Sequence, residues 1–554
     1  MDLNSRTVTG LLVERYRCPD DLARFEVSED LSKESGYFRY GPNIICYGQC
    51  STGKPGKYVT EAMPDVSGDI SLNGSAIRLP FDAVQVVENL QFERYHAPAT
   101  NLPTVSSAGV SRGVYYMLRP LLGVSARKYL QRFFFRHWRE IPFPKWPVDR
   151  TVDDIIEQVL ILSMKALRLE RIPFIWFWPD GMPTCAMLTH DVETSAGMAF
   201  CSKVMDLDDS FGAKSAFQVV PEKRYTVTAP FLESIRKRGF EINVHDLNHD
   251  GCLWSHRDEF LRRAQKLNRY GREFGAQGFR SAVMYRNTDW YDALDFSYDM
   301  SIPNVAHLDP QRGGCCTTLP FFIGNILELP LTTTQDYALF NILGDYSMNV
   351  WKQQMSLIRE KNGLMSFIIH PDYIIEAPAR RLYSELLQHL ADLRTQGKTW
   401  IALPGEIAAW WRLRSKLNLV NEGGSWRIVG EGSGRANLAY AVLENGRIVY
   451  EVKRRASRQS ASDADYVCNG VANGVPLQDV TLTLKSTNGI CVVTNQQPEV
   501  DVLCGGQVTQ GGQTIASWKP DGDGFTVSGQ GNSLSCQPKA RATPGAGGGA
   551  ADGG

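Results

Sequence analysis

Four of the nine histidines follow apolar, strand-like segments that also carry acidic residues. They are His190 in LTHDVE, His245 and His249 in NVHDLNHDG, and His370 in SFIIHPDY. A single buried histidine is usually a packing residue, but strand ends rich in Asp, Glu and Asn are poor positions for packing. We therefore interpret these segments as candidates for metal binding and acid–base catalysis.

The spacing of two of these histidines suits one metal ion. His245 and His249 are four residues apart, which predicts that both imidazoles lie on one face of a helical turn. Asp191 and Glu193 are two apart, and so lie on one side of a strand end. Two histidines and one carboxylate leave positions open for water and substrate, which is typical of a catalytic rather than a structural metal site.

From Pro183 onward, the segments that position these residues alternate between apolar strands and amphipathic helices. The predicted strands are CAMLTHDVE, KSAFQVV, FEINVHD, GFRSAVMY, ILELPLT, LMSFIIHPDY and the start of TWIALPGEIAAWW. The predicted helices run through PFLESIRKRG, HRDEFLRRAQKLNRYGREF, SMNVWKQQMSLIREKNG and PARRLYSELLQHLADLRTQG. This alternation predicts an α/β fold with a parallel sheet or barrel, whose active residues lie at the carboxyl ends of strands.

Several motifs in chain order resemble the polysaccharide deacetylase family, also called the NodB-homology or carbohydrate esterase family 4 domain, over residues 183–405. Thr189–Glu193 resembles the family's Thr-Phe-Asp-Asp motif, and His245–His249 resembles its His-Ser/Thr-x-x-His motif. Phe279-Arg280-Ser281 is similar to the family's Arg motif, Tyr298–Ser301 to a Tyr-Asp-Ser-Ser segment, and Phe367–His370 to the last strand, which ends in His. One such motif is weak, but several in the family's order are specific.

The resemblance implies a distorted (β/α) barrel that holds one divalent metal ion, with zinc favoured, and acts as a metal-dependent carbohydrate N-deacetylase. In that scheme the ion polarises the acetamide carbonyl and binds a water. Asp191 would be the general base, Arg280 would hold and orient that carboxylate, and His370 would protonate the departing sugar amine. The implied partner is a carbohydrate substrate that bears N-acetyl groups.

The first motif departs from the family pattern, because Val192 stands where the family has its metal-binding Asp. We favour Glu193 as the carboxylate ligand, together with His245 and His249, since its longer side chain can reach back to the ion. The alternative is that Asp191 binds the metal, with His190 or Glu193 as the base. The sequence leaves both assignments open.

The length of 554 residues exceeds what one hydrophobic core usually supports, so several domains are expected. We predict a mixed α/β N-terminal domain, the catalytic barrel, a short β-rich extension, a C-terminal β-rich domain and a disordered tail, over 1–172, 173–415, 416–453, 466–538 and 539–554. A helix is predicted over TVDDIIEQVLILSMKALRLER, with Thr151 as its N-terminal cap.

Composition argues against two classes of protein. No uninterrupted apolar stretch is long enough for a membrane span, and a net charge of -1 gives no basic footprint for nucleic acid. The first residues, MDLNSRTVTGLLVERYRC, lack the features of an export signal, which predicts a cytoplasmic location. Against this, a Gly- and Thr-rich segment resembles an exported domain in which disulfides would be natural, at Cys468, Cys491, Cys504 and Cys536.

A second hypothesis is a catalytically degenerate barrel that binds or scaffolds carbohydrate. The altered first motif and the extra β-rich segments motivate it. Among enzymes, a small-amide deacylase or an O-acetyl esterase is a further alternative, because fold and metal do not determine substrate. Polar residues after Arg280 could equally line a sugar pocket or form an ordinary polar loop: Tyr285, Arg286, Asn287, Asp289 and Trp290.

Overall fold

The computed structural model describes residues 7–60, 62–96, 133, 135–453 and strand segments between 464 and 538. The chain divides into two compact units, Met1–Lys453 and Arg454–Gly554. The boundaries predicted at 172/173 and 415/416 both lie inside the first unit and stay predictions. The predicted tail, 539–554, lies outside the described residues.

The helices of the first unit include most of those that the sequence predicts. They are α1 (Val8–Tyr16), α2 (Ala83–Gln91), α3 (Thr151–Leu167), α4 (Ser195–Ser210), α5 (Ala229–Lys237), α6 (Arg257–Glu273), α7 (Asn349–Arg359), α8 (Ala377–Thr395) and α9 (Pro404–Arg414). The predicted Thr151 cap is wrong, because Thr151 is the first helical residue and Arg150 at the N-cap makes no side-chain cap. Asp149 Oδ1 accepts from the Thr151 backbone N–H instead, at 2.8 Å.

The strands before residue 454 form one large sheet and several small ones. They are β1 (Arg24–Val27), β2 (Gly36–Arg39), β3 (Ile45–Gly48), β4 (Ser71–Asn73), β5 (Ala76–Leu79), β6 (Arg171–Ile175), β7 (Thr184–Val192), β8 (Ala216–Val219), β9 (Glu241–His245), β10 (Gly278–Arg280), β11 (Tyr298–Asp299), β12 (Phe321–Ile323), β13 (Ile326–Glu328), β14 (Leu364–Ile368), β15 (Thr399–Ile401), β16 (Asn418–Glu422), β17 (Ser425–Val429), β18 (Leu438–Glu444) and β19 (Arg447–Lys453).

The large sheet has the order β12-β13-β11-β10-β9-β8-β7-β14, and β15 also pairs with β7. Its pairings are parallel except for β12 with β13. All nine residues of β7 are buried, which is typical of a parallel strand covered on both faces. The predicted α/β fold with a distorted (β/α) barrel is therefore confirmed.

The parallel register aligns the motif-bearing strand ends along one edge of this sheet. Arg280 on β10 is the register partner of His245 on β9. Ile368 on β14 is the partner of Thr189 on β7, two residues before Asp191. Side chains that are far apart in the chain are thus brought to the carboxyl ends of neighbouring strands.

The N-terminal part, before β7, is mixed α/β, as the sequence predicts. Its strands form a sheet with the order β1-β5-β4 and a β2–β3 hairpin. The 172/173 boundary falls within β6, which pairs with β18 of the later β-rich extension. Arg15 on α1 forms a buried ion pair with Asp153 on α3, with Nη2 2.6 Å from Oδ1.

The second unit is a closed antiparallel sheet, in which each strand pairs with the next and the last returns to the first. Its strands are β20 (Ala464–Ala472), β21 (Val475–Thr487), β22 (Ile490–Thr494), β23 (Val500–Leu503), β24 (Gln507–Gln510), β25 (Gln513–Asp521), β26 (Gly524–Gly529) and β27 (Asn532–Pro538). The disulfide expectation lies outside the described side chains. Among the described helices, none has the length and apolar character that crossing a membrane requires.

Candidate metal and catalytic site

Glu193 and two histidines converge just beyond the ends of β7 and β9. Glu193 Oε1 lies 2.7 Å from His249 Nε2 and 3.5 Å from His245 Nε2. The ligand atoms of these three residues all lie within 4.8 Å of one another. The three residues that the sequence suggests as metal ligands are therefore brought together.

The backbone that carries the two histidines differs from the prediction. His245 ends β9, and the following residues form a bend rather than a helical turn. Asp246 and His249 have left-handed φ angles of 53° and 55°, which interrupt any helical path. The two imidazole rings still meet, with centroids 4.9 Å apart. The predicted proximity is observed, but the predicted helical turn is wrong.

Hydrogen bonding leaves His245 able to act as a metal ligand. Its Nδ1 lies 3.1 Å from the Arg280 carbonyl oxygen, so Nδ1 carries the proton and donates it. Nε2 then faces Glu193 Oε1, at 3.5 Å, and Asp191 Oδ2, at 3.7 Å, and it is the ring nitrogen that a metal ion could reach. A backbone carbonyl that orients a ligating imidazole in this way is a common second contact in metal sites.

His249 supplies the observation that tests whether the residues fit a metal ion. Its Nε2 is buried and makes no hydrogen bond within the described part of the chain, although Glu193 Oε1 is 2.7 Å away. Donor atoms around a tetrahedral zinc ion lie about 3.4 Å apart, and the two Glu193 distances bracket that spacing. On the other side of the ring, Arg224 Nη2 lies 3.1 Å from His249 Nδ1, and it also donates to the His249 carbonyl oxygen at 2.6 Å. Two imidazole nitrogens and one carboxylate therefore fit a divalent ion.

Arg280 holds Asp191 in a buried pair at the end of β7. Arg280 Nη1 donates to Asp191 Oδ1 at 2.6 Å and to Thr189 Oγ1 at 2.9 Å, while its Nε donates to the Met300 carbonyl at 3.1 Å. Burial alone would raise the pKa of the Asp191 carboxyl, but the charges of Arg280 and His245 lower it below the usual value. Asp191 is therefore ionised at neutral pH.

His370 lies two residues beyond β14, on another side of Glu193. Its Nε2 is 3.4 Å from Glu193 Oε1, and its Nδ1 donates to Asp336 Oδ1 at 2.6 Å. Asp336 Oδ2 also accepts from the His370 backbone N–H at 2.7 Å. Burial alone would lower the pKa of His370, but Asp336 and Glu193 raise it well above the usual value. The ring is therefore protonated at neutral pH.

Asp336 is a residue of the candidate site that the sequence interpretation missed. It lies in TTTQDY, well past the end of β13, and is 34 residues from His370 in the chain. The only sequence signal is an isolated Asp after an apolar strand, which is common in loops.

The Glu193 carboxyl is the shared contact of the cluster. Burial alone would raise its pKa, but His249 and the hydrogen bonds from His245 and His370 lower it well below the usual value. Burial alone would also lower the pKa of His245, and the Asp191 and Glu193 charges raise it. The carboxylates of Asp191 and Glu193 thus concentrate negative charge at this point of the site, which favours a bound cation.

Two other members of the first motif face away from the cluster. His190 is fully buried, with Nδ1 3.1 Å from the Ile369 carbonyl and Nε2 3.3 Å from Asp208 Oδ2. Tyr383 completes that network by donating to Asp208 Oδ1. Val192 is also fully buried. His190 is therefore not oriented to serve as the base.

Three residues of the polar stretch after Arg280 make contacts within the fold. Arg286 is 2% exposed and pairs with Glu93, so it does not line an open pocket. Asn287 caps a short 3₁₀ turn by accepting from the Asp289 backbone N–H at 3.2 Å. The partly buried Trp290 packs on Phe260, with ring centroids 5.3 Å apart. These contacts favour a structural role, rather than substrate binding, for most of the stretch.

Comparison with known proteins finds similarity among solved structures only. No protein-family model matches the sequence, and no curated protein matches it. A Mycobacterium smegmatis protein assigned as a polysaccharide deacetylase is 17% identical and covers 45% of this chain and 96% of its own, with a TM-score of 0.36. The allantoinase PuuE is 12% identical, with 42% and 92% covered and a TM-score of 0.35. The peptidoglycan deacetylase PdaC from Bacillus subtilis is 12% identical, with 42% and 95% covered and a TM-score of 0.28.

Proposed function

We propose that this protein is a metal-dependent hydrolase that removes an N-linked acetyl group from a polysaccharide, an oligosaccharide or a sugar precursor. One observation carries the proposal. Glu193, His245 and His249 converge beside Asp191 and His370. Asp191 is held by the buried, positively charged Arg280, and His370 is held by the buried, negatively charged Asp336. A ligand set with an anionic base and a cationic acid around it is what metal-assisted amide hydrolysis requires.

Glu193, His245 and His249 would hold the divalent ion, with zinc favoured by the two imidazole ligands. When bound, such an ion supplies Lewis-acid polarisation of an amide carbonyl and makes a bound water more acidic. Glu193 would take the place of the family's Asp, because the Val192 side chain has no atom that can bind a metal ion and is buried in β7.

Asp191 would accept the proton from the attacking water. Arg280 occupies Oδ1, so Oδ2 remains as the oxygen that can receive that proton. The lowered pKa keeps this carboxylate ionised at neutral pH, and the Arg280 hydrogen bonds hold its orientation. The water oxygen then bonds to the carbonyl carbon as its proton passes to Asp191.

His370 would donate the proton that the leaving nitrogen needs. Asp336 fixes the ring through Nδ1, which leaves the Nε2 proton for donation. When the carbon–nitrogen bond breaks, the departing amine takes this proton, and the products are acetate and the free amino sugar. Protonation is most important for an amine leaving group, so an acid that stays protonated at neutral pH supports an amide substrate over an ester.

The substrate class rests on the motif resemblance and is open to a direct test. Purified protein loaded with zinc would be incubated with N-acetylglucosamine oligomers, with an O-acetylated glycan and with a small N-acetylated amine. Acetate release from the oligomers, with an equal amount of new amine, supports the proposal. Acetate from the O-acetylated glycan alone would indicate an esterase. Binding of the oligomers without any acetate release would favour the carbohydrate-binding scaffold.

A further inference from the structure

A residue of the N-terminal part of the chain, Glu93, forms a buried ion pair with Arg286 of the barrel domain. Glu93 lies just past α2, and its Oε2 accepts from Arg286 Nε at 2.6 Å. Arg286 Nη2 donates to the other carboxylate oxygen, so the pair is bidentate. The two residues are 7% and 2% exposed. A buried, bidentate pair between residues 193 positions apart is a strong restraint on the two segments that it joins.

The Glu93 end of this restraint is itself anchored. Glu93 has a left-handed φ of 56°, which is unfavourable for a residue with a side chain and requires surrounding contacts. Tyr95 donates its hydroxyl proton to the Gly314 carbonyl at 2.6 Å. Next to it, Gly313 has no room for a side chain, since a Cβ there would lie 2.5 Å from Glu93 Oε1. The segment is thus packed against the barrel at a defined position.

The Arg286 end holds the turn that follows Arg280. Arg286 Nη1 donates to the Met284 carbonyl at 2.6 Å. Val283 and Met284 have φ angles of 60° and 55°, so two consecutive residues adopt the left-handed conformation that side chains disfavour. Such a turn persists only when its surroundings determine it. Arg286, neutralised by Glu93, is one of those determinants.

This turn contacts the site on two sides. Met284 packs in a buried cluster with Leu331 and Ile368, and Ile368 is two residues before His370. On the other side, a Cβ placed on Gly251 would lie 3.5 Å from the Tyr285 ring and 3.8 Å from Val283. Gly251 follows His249 by two residues. The turn therefore lies between the loop that carries His249 and the strand end that leads to His370.

We propose that Glu93 is a positioning residue for the active site, contributed by the N-terminal part of the chain. Its ion pair with Arg286 fixes the Ser281–Arg286 turn as a wall of the site, and the effect on catalysis rests on the proposed hydrolase function. Without Glu93, Arg286 loses both carboxylate hydrogen bonds and keeps only the longer-range charge interaction with Asp309, so its guanidinium is no longer fixed and can release the Met284 carbonyl. The turn is then free to relax from its left-handed conformation.

Hydrogen–deuterium exchange tests the restraint without any need for activity. Two amides at the ends of the turn report on it, since Ser281 N–H donates to Ser301 Oγ and Arg286 N–H donates to Gln311 Oε1. In Glu93→Gln, which keeps the size of the side chain but removes its charge, exchange in peptides covering residues 281–286 should be at least about tenfold faster. Unchanged exchange would overturn the proposal.

The matched control is Arg15→Gln, which breaks a different ion pair, that of Arg15 on α1 with Asp153 on α3, and leaves the turn untouched. It should leave exchange in residues 281–286 at the wild-type rate. If it accelerates exchange there as much as Glu93→Gln does, the effect is general destabilisation and the proposal fails.

Kinetics then separate positioning from stability. At a temperature where all variants are folded, Glu93→Gln should bind as much metal as the wild type but lose about 10- to 100-fold in kcat/KM on the acetylated oligomer. Glu93→Asp, which keeps the charge, should recover most of that loss. Wild-type kcat/KM in Glu93→Gln would overturn the catalytic part. An inactive wild type would refute the hydrolase function, while the exchange result would still decide whether Glu93 fixes the turn.

Discussion

The contact between Asp336 and His370 makes a specific prediction about pH dependence. Both carboxylate oxygens of Asp336 accept hydrogen bonds, one from His370 Nδ1 at 2.6 Å and one from the His370 backbone N–H at 2.7 Å. In Asp336→Asn, the amide has a single acceptor oxygen, so at least one of these bonds is lost. The negative charge that stabilises the protonated ring is lost as well.

The size of the effect follows from the contact geometry. A hydrogen bond to a charged group contributes about 1.5–3 kcal/mol, and 1.36 kcal/mol corresponds to one pKa unit. Because Asp336 raises the pKa of His370, its replacement should lower that pKa in proportion to the free energy of the lost contact. The acid form of His370 would then be lost at a lower pH, and the alkaline limb of activity would move down by the same amount.

The assay is kcat/KM for acetate release, measured from pH 5 to pH 10 for the wild type and for Asp336→Asn. Asp208→Asn is the matched control, because it alters a second buried Asp–His contact, with His190, on the far side of the first motif. The control should leave the alkaline limb at the wild-type pH. An alkaline limb at the same pH in the wild type and Asp336→Asn would refute the assignment of His370 as the acid that Asp336 tunes.

Three further predictions concern metal affinity and stability. Glu193→Gln should weaken metal binding at least about 100-fold in a chelator-competition titration, and unchanged affinity would transfer the ligand role to Asp191. Burial raises the pKa of Asp309 to about 6, so folded-state stability is lost as pH rises from about 4 through about 6. Asp309→Asn should remove about 2 kcal/mol of that loss between pH 4.5 and pH 7.5 in urea unfolding, whereas parallel pH dependence in the two proteins would contradict it. Leu386→Ala, at a fully buried position on α8, should lower the free energy of unfolding by about 2–5 kcal/mol without changing metal stoichiometry, and an unchanged thermal midpoint would contradict its place in the core.

The strands of the barrel were predictable because their apolar runs are local signals. β7 and β14 read as nearly continuous buried strands, and the polar residues that follow them mark the carboxyl edge of the sheet. Once a parallel sheet that curls into a barrel is assumed, the strand ends that carry Asp191 and Arg280 face the same opening, although the two residues are 89 apart in the chain. Local pattern and sheet topology together predicted most of the cluster.

What failed depends on backbone conformation and on contacts of no fixed spacing. A four-residue separation suggests a helical turn, but left-handed residues at Asp246 and His249 bring the same two rings together from a bend. Asp336 and Glu93 carry no local signal, because each acquires its partner only through tertiary packing, 34 and 193 residues away. Sequence spacing cannot report such pairs.

The central claim is that one metal ion is held by Glu193, His245 and His249 beside a separate acid, His370. The most direct measurement is metal content per chain, together with acetate release from N-acetylglucosamine oligomers, for the wild type, His245→Ala and His370→Ala. The account predicts about one ion per chain in the wild type and in His370→Ala, none in His245→Ala, and acetate release in the wild type alone. A wild-type protein that holds no metal and releases no acetate would contradict it.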